Sequence, residues 1–127
     1  MLVFLFSSCD NTTLDIENGY GFTLTMQKYR EEIKNGETKE FEFFINRESI
    51  YTETHYEVSV FLRAGTGTIA FPNGNVLEEN TFYAVSDSGF ILSYTSLSTE
   101  THTIEVLVRD SFGNEKETSI QLVNKTN

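Results

Sequence analysis

Thr103-Ile104-Glu105-Val106-Leu107-Val108-Arg109 alternates with a period of two, and Glu117-Thr118-Ser119-Ile120-Gln121-Leu122-Val123 does the same after the turn Asp110-Ser111-Phe112-Gly113-Asn114. A two-residue repeat sends successive side chains to opposite faces of an extended chain. An amphipathic helix would instead need apolar residues three and four apart. Two such runs, rich in β-branched residues and joined by a Gly-Asn turn, predict an antiparallel hairpin.

The same alternation extends backwards from this hairpin. Phe22, Leu24 and Met26 alternate with Thr23, Thr25 and Gln27. Lys39 to Ile45 and His55 to Arg63 repeat the pattern, and Gly65-Thr66-Gly67 links the latter to Thr68-Ile69-Ala70-Phe71. Pro72-Asn73-Gly74-Asn75 carries turn chemistry, since Pro presets one backbone angle and Asn-Gly accepts left-handed geometry. Shorter strands are expected at Thr81 to Val85 and at Phe90 to Thr95. The best helix candidate is a single turn between Lys28 and Lys34. Seven to eight short strands separated by turns predict an all-β fold, an immunoglobulin-like β-sandwich over residues 20–124. A small open barrel is the alternative. Most phenylalanines fall on the inward positions of these strands.

The chain has 127 residues and is 39% hydrophobic, enough for one domain with its own core. Nine Lys/Arg against nineteen Asp/Glu give a net charge of -10, which argues against a nucleic-acid partner. One cysteine allows no intrachain disulfide. That cysteine ends the run Met1-Leu2-Val3-Phe4-Leu5-Phe6-Ser7-Ser8-Cys9, an apolar stretch closing on small residues. The run is too short to span a bilayer and reads as the remnant of a secretory signal over residues 1–8. Small residues before a cysteine resemble a bacterial lipoprotein box, in which a peptidase cuts before Cys9 and lipid is added there. Several acyl chains on one residue anchor firmly, each buried methylene adding about 0.8 kcal/mol. Residues 9–19 are polar and suit a flexible tether. The competing reading is an apolar first strand with a buried thiol.

Strand faces carry the functional expectation. On His55 to Arg63, Tyr56, Val58, Val60 and Leu62 share one face, and Glu57, Ser59, Phe61 and Arg63 the other. On Thr103 to Arg109, the apolar Ile104, Val106 and Val108 oppose Glu105, Leu107 and Arg109. In an immunoglobulin-like sandwich these two strands are neighbours in one sheet. Phe61, Arg63, Leu107 and Arg109 then form one outward patch, apolar and cationic, with the composition of a protein-binding hot spot. A smaller equivalent is expected at Phe44 and Ile91 on the opposite sheet. The plainer alternative is that loops or the N-terminal segment cover these residues.

Tyr56 to Phe61, Gly65-Thr66-Gly67, Phe90-Ile91-Leu92-Ser93-Tyr94-Thr95-Ser96, and Ile104 to Asp110 with Ser111-Phe112-Gly113-Asn114 occur in an order and spacing that resemble the TraQ family. These are small lipoproteins of Bacteroidetes conjugative transposons. The resemblance covers about residues 20 to 123. It implies a non-catalytic accessory or assembly role in conjugative transfer, at the cell envelope (periplasm or outer membrane). Other envelope or conjugation proteins are the expected partners, and the membrane is reached through the lipid on Cys9. It implies no catalytic residues, no cofactor and no small-molecule substrate.

Other constellations fit less well. His55 and His102 belong to no nucleophile motif and read as exposed edge or loop residues. Neither has metal-ligand spacing. Asp110, Asn114, Glu115 and Asp87 could approach calcium at the loop ends, but they lack the twelve-residue helical-loop pattern. Gly65-Thr66-Gly67 precedes a strand, whereas a phosphate loop precedes a helix. The adjacent pairs Glu31-Glu32 and Glu78-Glu79 point to opposite faces, which does not give glycosidase geometry. An extracellular carbohydrate-binding sandwich is the alternative function, because the chain has six Tyr and eleven Phe with which to stack sugars.

Overall fold

The computed structural model describes residues 21–48 and 54–125. The expected signal remnant, Cys9 and the tether lie outside the described residues. Among the described residues nine strands are formed: β1 (Phe22–Met26), β2 (Glu32–Ile33), β3 (Thr38–Arg47), β4 (Tyr56–Ala64), β5 (Gly67–Ala70), β6 (Tyr83–Val85), β7 (Gly89–Ser96), β8 (His102–Asp110) and β9 (Glu115–Asn124). They build one sheet of order β2-β9-β8-β4-β6 and a second of order β1-β3-β7-β5. No helix occurs among the described residues.

The helical turn expected between Lys28 and Lys34 is instead extended chain. Ile33 is fully buried there, and β2 pairs in parallel with the end of β9. The amide of Val123 donates to the Glu31 carbonyl, and that of Lys125 to the Ile33 carbonyl. This short strand takes the total past the seven or eight expected. The neighbours β3–β7 and β4–β8–β9 are those of an immunoglobulin-like sandwich. The chain departs from that order where β5 joins β7 in one sheet before β6 returns to β4 in the other.

The β8–β9 hairpin forms as expected, and its register runs from Glu115 opposite Arg109 to Leu122 opposite His102. The Asp110 carboxylate organises its turn, accepting from the amides of Phe112 and Asn114 and from the Asn114 side chain at 2.8–2.9 Å. One core forms between the sheets. Ile104, Val106, Val108, Val58, Val60, Ile120 and Leu122 come from the first sheet; Phe22, Phe41, Phe43, Leu92 and Tyr94 come from the second. Phe22 and Tyr56 meet edge to face across the layers, with ring centres 5.2 Å apart.

His55 is exposed as expected, but His102 is not. It is in phase with Ile104 and Val106 and is completely buried. Burial is tolerated because both ring nitrogens have partners: the Tyr94 hydroxyl at Nδ1 (2.5 Å) and Ser96 Oγ at Nε2 (3.0 Å). Ser96 Oγ also donates to the Ser98 carbonyl. A neutral ring with its proton on Nε2 satisfies the whole chain of bonds. This network explains Gly65 and Gly67. A Cβ on Gly65 would lie 2.4 Å from His102 Nδ1, and one on Gly67 would lie 2.3 Å from the Tyr94 hydroxyl. Gly65 also has φ of 87°.

Burial, and secondarily the charge of Glu100, push the Tyr94 phenol up to about 12 from 10.0. Its contribution to stability is therefore whole below pH 10 and is lost as pH rises through about 12. Tyr94→Phe leaves His102 Nδ1 unpaired and is expected to cost about 1–3 kcal/mol near neutrality. Melting temperatures should converge between pH 10 and 12, with the parent falling faster than the variant. Parallel melting curves over that range would exclude this role for Tyr94.

Candidate functional site

Strands β4 and β8 are antiparallel neighbours, with Glu57 opposite Arg109, Ser59 opposite Leu107 and Phe61 opposite Glu105. Their outward side chains therefore share one face. The register shifts between Leu62 and Ala64, leaving Arg63 as the extra residue of a β-bulge. Phe61, Arg63 and Leu107 line one depression of about 280 Å³, together with Ser59, Val60, Asn80, Glu105 and Glu117. Arg109 lies on the same face one step along β8. All four expected patch residues are thus brought together, and neither Phe61 nor Leu107 enters the core cluster.

The electrostatics differ from the cationic patch that the sequence suggests. Arg63 Nε bonds Glu105 Oε2 at 2.5 Å, and Arg109 Nε bonds Glu57 Oε1 at 2.9 Å. The register places Glu57 directly across from Arg109, and the bulge brings Arg63 within reach of Glu105, which itself stands opposite Phe61. Glu105 is held below the usual carboxylate range, first by the hydrogen bond from Arg63. With Glu117 on the neighbouring strand, the face carries no excess positive charge. It is apolar, bordered by paired ions.

Phe82 is the residue that the sequence reading missed. The Arg109 guanidinium lies over its ring, 3.4 Å from the centroid. Tyr83 pairs with Val58 and Ala84 with Glu57, so Phe82 arrives beside Ser59. A signal was present: Phe82 is in phase with Ala84 in a chain of alternating strands. The segment is short, however, and its register on β4 is not readable from pattern.

On the opposite sheet, Phe44 is 37% exposed and lines a separate hollow with Ile91, Glu42 and Pro72. Register makes Phe44 and Ile91 diagonal neighbours, Phe44 facing Gly89 and Ile91 facing Glu42. The smaller pair is therefore assembled as expected.

The residues considered for other chemistry are dispersed or occupied. His55 immediately precedes β4, next to the Tyr56–Asp110 pair, whereas His102 starts β8 at the other end of the same sheet. The strand rise puts them about 26 Å apart. Both oxygens of Asp110 are taken by its turn, and Asp87 is bound to Arg47 at 2.8 Å. Gly65-Thr66 is the β4–β5 connection and Gly67 opens β5, the two glycines lying against His102 and Tyr94. Among the described residues no group of three His, Cys, Asp or Glu is placed to hold a metal ion. No helix among them is long and apolar enough to cross a membrane.

A family model described as TraQ conjugal transfer protein matches residues 1–125. The chain belongs to the TraQ family. The resemblance carried by the strand and turn residues is thereby established. Solved structures agree with this TraQ assignment. A conjugative transposon lipoprotein from Bacteroides eggerthii is 27% identical, with a TM-score of 0.74 over 80% of this chain and 95% of that one. A lipoprotein from Bacteroides thetaiotaomicron is 32% identical, with a TM-score of 0.75 over 92% of this chain and 90% of that one. A conjugate transposon protein from Bacteroides vulgatus is 30% identical, with a TM-score of 0.73 over 90% and 93%. No curated protein matches the chain. TraQ is a family of conjugal transfer proteins and not a known enzyme family, which ties this chain to conjugation at the level of the family.

Proposed function

We propose that this TraQ-family chain is a non-catalytic, lipid-anchored component of the conjugative transfer apparatus at the cell envelope, and that it binds a partner protein through the outer face of its five-stranded sheet. The observation that carries the binding reading is the cluster of Phe61, Leu107 and Phe82 around Ser59. Aromatic and arginine side chains held rigidly on adjacent strands are the composition of interface hot spots. The ion pairs do not weaken this reading. They hold both guanidinium groups at the border of the apolar centre, where a partner would exclude water from them. The anchor rests on the Cys9 sequence and on relatives described as lipoproteins. Residues 1–8 would be removed, and residues 9–19 would form the tether.

One observation favours sugar binding, namely an open cleft at the sheet edges lined by Phe71, Tyr83 and Phe90 with Asn73 and Asn75. Phe71 and Tyr83 meet there at 81°, which gives no flat platform for stacking. The face of Phe82 is covered by Arg109. The protein-binding reading is therefore preferred.

Replacing Phe61 and Leu107 together by Ser should leave the melting curve nearly unchanged, because neither belongs to the core cluster. It should sharply reduce capture of transfer proteins from donor-cell membranes, and mating frequency with it. Unchanged capture would reject this face. Metabolic labelling with palmitate tests the anchor separately: the parent should be labelled and Cys9→Ser should not. Equal labelling of the two would remove the lipid tether from the account.

A further inference from the structure

Positive charge is scarce in this chain and unevenly placed. Of its nine Lys/Arg, four (Arg30, Lys34, Lys39 and Lys125) line one cleft with Glu32 and Glu37. The cleft lies where the chain crosses from β1 to β2 and returns into β3, beside the end of β9. Elsewhere Arg47, Arg63 and Arg109 are each bound by a carboxylate, Asp87, Glu105 and Glu57 respectively. Here the pairing is loose. Glu32 Oε2 stands 3.7 Å from both Arg30 and Lys125, and the Arg30 side chain is 83% exposed. Among the described residues no carboxylate forms an ion pair with Lys34 or Lys39; Lys39 Nζ donates to the Arg30 carbonyl at 3.2 Å. Four cations against two carboxylates leave a local excess of positive charge on a chain whose net charge is -10.

We propose that this cleft is a second binding site, taking an acidic segment of a partner protein. Three observations favour that occupant. Glu32 already sits between two of the cations, so a carboxylate is the group the cleft accommodates. The two lining carboxylates, and the acidic surface beyond them, disfavour an extended phosphate chain. The third argument is position and rests on the lipid-tether reading. The described chain begins at Gly21, whose amide bonds Glu48 just beyond the end of β3, whereas the cleft lies at the start of β3. Ten residues of β3 separate the two ends, about 30 Å by strand rise. The point at which the described chain would join the proposed tether thus lies at the pole opposite the cleft. The cleft shares no lining residue with the Phe61–Leu107 face, so the two sites can be occupied together.

The test is a titration of the full chain, followed by NMR, with an eight-residue glutamate peptide. Parallel titrations use an eight-residue lysine peptide, inorganic phosphate, a single-stranded oligonucleotide and phosphatidylglycerol vesicles. The expected result is saturable binding of the glutamate peptide alone, with shifts confined to Arg30, Lys34, Lys39 and Lys125 and lost at high salt. Lys34→Glu with Lys39→Glu should weaken it by roughly tenfold or more, since attraction becomes repulsion. Both side chains are at the surface or the cleft rim, and a melting curve confirms folding. Phe61→Ser with Leu107→Ser should bind the peptide as the parent does, which separates this site from the outer face. No binding of the glutamate peptide would overturn the proposal. So would tighter binding of phosphate, oligonucleotide or vesicles, or indifference to the lysine reversals.

Discussion

Strand β8 is paired along its length on both sides, with β4 and with β9, and it alternates without interruption between buried and half-buried residues. Ile104, Val106 and Val108 are at most 1% exposed. Burying each stabilises the fold by about 1.5–3 kcal/mol. Exposed ion pairs of the kind formed by Arg63 and Arg109 add little beside that. Apolar burial therefore sets the register, and register decides everything on the outside. A slip of one residue would send Glu105, Leu107 and Arg109 into the core. The cross-strand partners of Phe61, the arginine–carboxylate pairs and the approach of Phe82 are all consequences of this one constraint.

That constraint also explains which features could be read in advance. Period-two runs revealed the hairpin and the outward position of Phe61, Arg63, Leu107 and Arg109, because each depends on local alternation; the neighbouring of β4 and β8 followed from the sandwich order those strands implied. Residues that depend on non-local partners stayed hidden. Ile33 lies in a segment of mixed charge, and only its pairing with β9 makes it a strand. His102 reads as polar and exposed until Tyr94 and Ser96 are seen to complete its hydrogen bonds. Phe82 reaches the face by way of a three-residue strand whose register no pattern reveals. The arginines read as cationic because sequence shows a charge but not the carboxylate that reaches it from the neighbouring strand. The cationic cleft gathers residues 30 to 39 with Lys125, which are distant in sequence and joined only through the parallel β2–β9 pair.

The charge distribution gives the molecule distinct surfaces. The outer face of the five-stranded sheet is apolar at its centre and neutralised at its border. The cleft at the far pole from Gly21 keeps a positive excess. The rest of the chain is acidic on balance, as the net charge of -10 requires. In the proposed account, a TraQ-family sandwich held by its N-terminus offers one rigid face and one charged cleft to other members of a transfer assembly. Neither surface requires the fold to move, since both are built on paired strands and short connections.

The central claim is that the face bearing Phe61 is buried against another protein during transfer. Site-specific photo-crosslinking in mating cells tests it most directly, with a photoreactive phenylalanine analogue placed at Phe61 or, for comparison, at Phe44 on the opposite sheet. The account predicts a discrete adduct with a transfer protein from Phe61 and none from Phe44. Adducts from Phe44 with none from Phe61 would contradict it.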